Sequence, residues 1–96
     1  MRIHLTPRFE AEFAAILDFI AEDSLTQAIQ FEDAISAQID QLADDSWARG
    51  TRKSFYVNEP NAHDLIYKGY VIPYLVNESK KQVELLGIFK HNLWRY

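Results

Sequence analysis

The spacing of apolar residues changes once along this chain, and that change limits the folds it can adopt. From Pro7 to Leu42 apolar residues recur every three or four positions, which is the spacing of amphipathic helices. From Leu65 to Phe89 they form short runs and alternations that are typical of strands. A chain of 96 residues has room for one hydrophobic core, so helices and strands must share it. The sequence therefore predicts a single α+β domain over residues 1–96, a two-helix antiparallel hairpin packed on a small antiparallel sheet.

Two helix starts are visible in the first half. Thr6 precedes Pro7, a pair that suits an N-cap followed by the first helical turn. Ser24, three residues before Gln27, predicts the cap of a second helix. Because the connection is short, the two helices should form an antiparallel hairpin. Their apolar stripes consist of Phe9, Phe13, Ile16, Leu17 and Ile20 in the first helix and Leu25, Ala28, Phe31, Ile35, Ile39 and Leu42 in the second.

The strands are predicted at the two ends of the chain. Ile3 and Leu5 alternate with polar residues and indicate a short first strand. Residues 65–67 and 70–76 form the arms of a tight hairpin around Lys68-Gly69. Pro73 has no N–H, so it is expected at a bulge or with its nitrogen facing away from a neighbouring strand. The resulting order is β-α-α-loop-β-β-β.

Residues 82–89 are predicted to form the last and longest strand. Val83, Leu85 and Phe89 should share one face with Gly87, and Leu86 and Ile88 the other, so both faces of this strand should be partly covered. The predicted core consists of Phe13, Ile16, Ile35, Ile39, Leu85 and Phe89. If Phe13 is fully buried, its replacement by alanine should cost about 3–5 kcal/mol.

The segment from Ser46 to His63 lacks a clear period and contains Gly50, Pro60 and two asparagines. A loop of this length in a small domain is more often functional than idle. We therefore expect the loop to contribute to a site.

The charge is divided unequally between the two halves. The whole chain has a formal charge of −4. Residues 1–48 contain two cationic residues against ten carboxylates, a charge of −8, whereas residues 49–96 contain eight against four, a charge of +4. Any anionic partner is therefore expected on the second half. The alternative is an acidic helical face that only improves solubility.

Several classes of protein are excluded or disfavoured by composition. The chain has no cysteine, which excludes disulfides and thiolate chemistry. No run of about 18 apolar residues is present, so we expect a cytoplasmic protein without a membrane partner. The three histidines lack the spacing of a metal site, and there is no glycine-rich phosphate loop. Neither a metal nor a cofactor is expected.

The order of elements and two segments resemble the RelE/ParE superfamily of bacterial toxins, particularly its ParE branch. The segments are residues 64–76, DLIYKGYVIPYLV, and residues 83–91, VELLGIFKH. The resemblance covers nearly the whole chain, and the matching positions are Tyr70, Tyr74, residues 83–89, His91 and Trp94. It implies a type II toxin–antitoxin protein that is neutralised by a cognate antitoxin in a hetero-oligomer.

The resemblance also implies two alternative activities. RelE-type toxins cleave mRNA on the ribosome, and ParE-type toxins poison DNA gyrase. Metal-free RNA cleavage needs an acid, a base and cations around the phosphate. His91, Lys90 and Arg95 are the catalytic candidates in that case, with His63 as a second imidazole and Trp94 or Tyr96 stacking a base. In either case the residues expected to contact the target are Arg49, Arg52, Lys53, Lys90, His91 and Arg95.

Two departures favour the gyrase alternative. His63 and Leu75 stand where members of the superfamily often have arginine, and the acidic net charge suits a protein target better than ribosomal RNA. A gyrase poison would not itself be an enzyme. A third alternative is a degenerate, non-toxic homologue that only binds the antitoxin. If the loop cations contact the target, charge reversal at Arg52 and Lys53 should abolish toxicity at little cost in stability.

Overall fold

The computed structural model describes residues 1–90 and 93–96. Its four strands are β1 (Arg2–Leu5), β2 (Ala62–Tyr67), β3 (Tyr70–Asn77) and β4 (Gln82–Leu85). Its helices are α1 (Pro7–Asp23), α2 (Leu25–Asp40) and a short α3 (Asp45–Gly50), with a 3₁₀ turn at Gln41–Ala43 between the last two. The predicted α+β class is confirmed.

Both predicted helix caps are present. The Thr6 hydroxyl accepts a hydrogen bond from the Phe9 amide at 3.2 Å, and the Ser24 hydroxyl accepts one from the Gln27 amide at 3.1 Å. Each cap satisfies an amide that has no partner within its helix. Only Ser24 separates the two helices, which form the expected hairpin.

The sheet has the strand order β1-β4-β3-β2. The β2–β3 and β3–β4 pairs are antiparallel, as predicted, but β1 pairs with β4 in parallel. The prediction of an entirely antiparallel sheet is therefore wrong at this edge. The helices lie in the crossover between β1 and the later strands, and such a crossover allows the last strand to lie parallel to the first.

Residues predicted as a loop from Ser46 form the short helix α3 instead. The Asp44 carboxylate accepts a hydrogen bond from the Trp47 amide at 3.0 Å and caps this helix. The irregular part of the segment begins at Thr51.

The last regular strand is shorter than predicted because β4 is interrupted by a bulge. Tyr74 pairs with Leu85 and Val71 with Phe89, so three residue steps along β3 correspond to four along residues 85–89. Pro73 lies at this interruption, as the sequence suggested, and its carbonyl accepts the Leu86 N–H at 2.8 Å. The extra residue reverses the expected alternation. Ile88 joins the core beneath the helices, whereas Phe89 contacts Tyr56 and Trp94.

Two apolar clusters cover the sheet. The main core lies between the sheet and the helices, and a smaller cluster of Val57, Ala62 and Leu86 lies against Leu75 and Trp94. The predicted core residues Ile35, Ile39, Leu85 and Phe89 are buried. Phe13 and Ile16 are only half-buried, whereas Phe9, in the first turn of α1, is fully buried. Leu25, assigned to the α2 stripe, is 67% exposed.

None of the helices in the described residues is both long and apolar enough to cross a membrane.

Candidate target-binding surface

A buried carboxylate on β2 organises the start of the irregular segment. Asp64 is 2% exposed, and its carboxylate accepts hydrogen bonds from the Ser54 hydroxyl at 2.7 Å and the Phe55 amide at 3.0 Å. The guanidinium of Arg52 lies 3.1 Å away and supplies the countercharge. Three donors from residues 52–55 therefore satisfy one buried charge, as burial of a carboxylate requires.

Backbone bonds fix the same segment along the outer side of β2. The Asp64 N–H donates to the Arg52 carbonyl at 3.1 Å, the Ser54 N–H donates to the Ala62 carbonyl at 3.0 Å, and Lys53 forms an antiparallel bridge with His63. The Lys53 side chain is exposed. Residues 52–54 therefore extend the sheet and form a defined surface rather than a free loop.

Arg52 and Phe55 form an exposed pair on this surface. The Arg52 guanidinium lies 4.3 Å from the centroid of the Phe55 ring. Phe55 is 78% exposed, which is high for an aromatic residue whose backbone is hydrogen-bonded to a buried group. An arginine over an accessible aromatic ring is a favourable cation–π arrangement.

Arg49, the third predicted loop cation, is directed elsewhere. It lies in α3 and makes two hydrogen bonds of 2.6 Å to the Glu78 carboxylate in the β3–β4 turn. This hydrogen-bonded pair lowers the pKa of Glu78 and raises that of Arg49. Because both groups are exposed, the pair contributes little to stability. A partner that recruits Arg49 would have to compete with Glu78.

His63 has a structural environment. Its ring stacks on that of Tyr74, with centroids 5.6 Å apart, and its Nδ1 lies 3.1 Å from the Thr51 carbonyl oxygen. Tyr74 is fully buried and donates a hydrogen bond to the Ala48 carbonyl at 2.7 Å. Burial raises the pKa of Tyr74 to about 12, so its phenol remains protonated at neutral pH. The Tyr74 phenol is therefore enclosed, whereas the His63 ring is half-buried.

The C-terminal tail forms a second group of aromatic and cationic side chains. Trp94 stacks on Phe89 at 5.1 Å and on Tyr96 at 6.4 Å, and Arg8 of α1 lies 4.2 Å above the Trp94 ring. Trp94 is half-buried, whereas Tyr96 is 62% exposed and Arg95 is exposed. Trp94 therefore anchors the tail and leaves its neighbours accessible.

Lys90 lies beside the tail, with its ammonium 5.2 Å from the centroid of the Tyr70 ring. His91, the predicted acid or base, lies outside the described residues. Three of the predicted target contacts lie at different points along β3: Lys90 lies beside Tyr70 at its start, Arg52 binds Asp64, which pairs with Pro73, and Arg49 binds Glu78 just after its end. These three cations are therefore spread along the strand and do not form one cluster.

A shallow apolar groove of about 540 Å³ lies between α1 and the end of the sheet. Its walls include Ala15, Ile16, Phe19, Tyr70, Ile88 and Phe89, and Glu12 and Lys90 also border it. Further apolar side chains are exposed on the helical hairpin: Phe19 is 71% exposed, Leu25 67% and Ile29 51%. This face offers an apolar surface to a partner.

Sequence reasoning missed two carboxylates that organise the surface. Asp64 precedes the apolar run Leu65–Tyr67, and a charge next to such a strand is a signal that it needs a buried counterion. Glu12 accepts hydrogen bonds from Trp94, the Ile88 amide and Arg8. Because Glu12 lies outside the apolar stripe of the first helix, its sequence position alone indicates a solvent-exposed side chain.

The sequence and the structure were compared with those of known proteins. The sequence model of the ParE toxin of the type II toxin–antitoxin system parDE matches residues 3–92. Among solved structures, a chain from a chromosomal ParDE toxin–antitoxin system of P. aeruginosa superposes with a TM-score of 0.76. The two chains share 19% identity, and the match covers 96% of this chain and 97% of the other, which establishes a shared fold. A comparison with curated proteins gave no match. Because the family model spans nearly the entire sequence, the chain belongs to the ParE toxin family of type II toxin–antitoxin systems.

Proposed function

We propose that this protein is a cytoplasmic toxin that poisons DNA gyrase and is neutralised by a cognate antitoxin. Membership of the ParE family supports a gyrase target over mRNA. The observation that carries the choice is the placement of His63 and Tyr74. The Tyr74 phenol is buried and donates to the Ala48 carbonyl, so it is withdrawn from acid–base chemistry. The His63 ring stacks on Tyr74 and its Nδ1 is bonded to the Thr51 carbonyl, which leaves one ring nitrogen, Nε2. The mRNA alternative then depends on His91 or on this one nitrogen of His63.

The charge distribution supports a protein target as well. Arg52 lies over the accessible ring of Phe55, the exposed Lys53 follows it in the chain, and the exposed Arg95 precedes Tyr96. Arginine and aromatic residues are enriched in the energetically important centres of protein interfaces. Ribosomal RNA would favour a strongly basic protein, whereas this chain carries a net charge of −4.

The antitoxin would occupy the apolar groove between α1 and the sheet and the exposed side chains of the hairpin. An amphipathic antitoxin segment would cover Phe19 and the groove with its apolar face. The polar face of that segment should carry basic residues, because the α1–α2 hairpin is acidic. Pull-down with the product of the adjacent reading frame tests this assignment. We expect a stable complex that Phe19→Asp weakens, and no complex with the wild-type chain would contradict it.

Induced expression in bacteria tests the target. We expect growth arrest, gyrase trapped on cleaved DNA and intact mRNA on ribosomes. Lys53→Glu should relieve the arrest, while Lys80→Glu, the same charge change at an exposed lysine of the β3–β4 turn, should not. Codon-phased mRNA breaks that disappear in His91→Ala would instead identify a ribonuclease. Normal growth with neither lesion would leave the degenerate, non-toxic homologue.

A further inference from the structure

The accessible ring of Phe55 is held in place by the buried carboxylate of Asp64. The Phe55 N–H donates to Asp64 Oδ2 at 3.0 Å. The next two amides, of Tyr56 and Val57, donate to the Ser54 hydroxyl at 3.0 and 3.1 Å. That hydroxyl in turn donates to Asp64 Oδ1. One carboxylate thus fixes the backbone on both sides of an exposed phenylalanine.

The same carboxylate positions the cation beside the ring. Arg52 approaches Asp64 at 3.1 Å and lies 4.3 Å above the Phe55 centroid, so its guanidinium bridges the buried charge and the exposed ring. Arg52 is still 38% exposed, and the neighbouring Lys53 faces solvent. The resulting surface is apolar at its centre and cationic at its border, and little entropy is lost when it binds because it is already ordered.

We propose that Phe55 is a principal contact of the toxin with gyrase and that Asp64 is its positioning residue. The partner surface would be a pocket that accepts a phenyl ring and has a carboxylate at its rim to meet Arg52 or Lys53. This inference rests on the proposed gyrase target. It adds the residue that makes the contact and the buried group that orients it.

The first test uses purified gyrase and supercoiled plasmid, with gyrase-dependent DNA cleavage measured against toxin concentration. Phe55→Ala should raise the concentration needed for half-maximal cleavage at least about tenfold, as expected for an exposed aromatic anchor. Phe55→Tyr keeps the ring and should keep the potency. The melting temperature should not fall in either variant, because most of this side chain is in solvent.

The second test separates positioning from general stability. Asp64→Asn should lower potency to a similar extent as Phe55→Ala. The double variant Asp64→Asn/Phe55→Ala should be as potent as the less potent of the two single variants, because both changes remove the same contact with gyrase. Glu59→Gln, the same change at an exposed carboxylate of the same segment, is the control. Hydrogen exchange should show loss of protection at the Phe55 amide in Asp64→Asn while the Leu65 amide in β2 stays protected. Should Asp64→Asn fail to fold, Ser54→Ala removes one of the three donors and serves in the same cycle.

The outcomes are distinguishable. A wild-type chain that leaves gyrase unaffected overturns the proposed function, and this inference with it. A wild-type chain that poisons gyrase while Phe55→Ala retains full potency overturns the inference alone. If the losses of potency caused by Asp64→Asn and Phe55→Ala multiply in the double variant, Asp64 acts through overall stability and not through Phe55.

Discussion

Trp94 Nε1 lies 3.1 Å from each carboxylate oxygen of Glu12, which joins the C-terminal tail to α1 across 82 residues of sequence. The Ile88 N–H donates to the same carboxylate at 3.1 Å, and Arg8 lies over the indole ring. The bulge that ends β4 and the tail therefore share one acceptor on α1. The tail is tied to the fold at this point, and any partner that contacts Tyr96 meets a partly ordered surface.

Gly87 provides the space for this junction. A Cβ at residue 87 would lie 2.7 Å from Trp94 Nε1 and would also collide with the Glu12 carboxylate. Gly87→Ala should therefore displace Trp94 and lower the free energy of unfolding by about 1–3 kcal/mol, the usual cost of overpacking. Chemical denaturation measures this loss.

Gly50→Ala is the matched control. No atom lies within 4 Å of the added methyl group, and the residue ends α3 without a positive φ. Stability should be unchanged or increase by up to about 1 kcal/mol, because alanine restricts the unfolded chain. Equal losses in both variants would contradict the role assigned to Gly87.

A second prediction distinguishes the two phenylalanines of the α1 stripe. Phe9 is 1% exposed, so Phe9→Ala should cost about 3–5 kcal/mol, whereas half-buried Phe13 should cost about 1–3 kcal/mol. Phe13 keeps aromatic contacts with Phe9 at 5.6 Å and Phe31 at 6.4 Å, which explains why its loss is not negligible. Thermal melts of the two variants, at equal concentration, test the order.

The features predicted correctly from the sequence depend on neighbouring residues. The caps at Thr6 and Ser24 act within three positions, and the Lys68-Gly69 turn requires positive φ values, which are 48° and 84°. The apolar stripes identified the two helices because their period is local. These signals gave the class of fold and the order of its elements.

The features that were missed depend on residues far apart in the chain. The bulge opposite Pro73 shifts alternation by one position, so the assignment of Ile88 and Phe89 to faces failed although the strand itself was recognised. The parallel pairing of β1 with β4 depends on the path of the whole chain. Nothing in the sequence near Arg52 shows that Asp64 lies beside it, so Arg52 was predicted only as a target contact and not as part of a buried ion pair.

That ion pair changes the expectation for charge reversal in the loop. Arg52→Glu would place a second carboxylate beside buried Asp64 and remove its countercharge. The expected loss is about 2–4 kcal/mol, less than for a fully buried pair because Arg52 is 38% exposed. The prediction that reversal at residue 52 leaves stability intact is therefore replaced by one of marked destabilisation.

Lys53→Glu reverses one charge, as Arg52→Glu does, but Lys53 has no ion pair with buried Asp64 among the described residues. Its side chain is exposed, so stability should change by less than about 0.5 kcal/mol. Loss of toxicity in this variant would report on target contact, whereas loss in Arg52→Glu would combine contact and folding. Equal denaturation midpoints for the two variants would contradict the structural role of Arg52.

The last prediction concerns the alkaline stability contributed by Tyr74. Its phenol donates to the Ala48 carbonyl and is hydrogen-bonded to Thr51, so Tyr74→Phe should cost about 0.5–1.5 kcal/mol at pH 8, the usual net value of a hydrogen bond. Burial is the main reason that the pKa of Tyr74 is raised to about 12, and the negative charge of Asp64 raises it further. Because the folded-state pKa exceeds the ordinary value of about 10, the contribution of the phenol is complete below pH 10 and is lost as the pH rises through 12.

The free energy of unfolding of the wild-type chain minus that of Tyr74→Phe should therefore be positive and constant up to about pH 10. It should fall between pH 10 and 12 and become negative there, because a pKa raised from about 10 to about 12 corresponds to a loss of about 3 kcal/mol. Denaturant titrations at half-unit intervals measure that difference. All other side chains are the same in both proteins and cancel from the difference. Tyr96→Phe, which removes an exposed phenol, controls for general effects of the substitution. A difference that stays constant to pH 12 would show that the Tyr74 proton is not held by its buried environment.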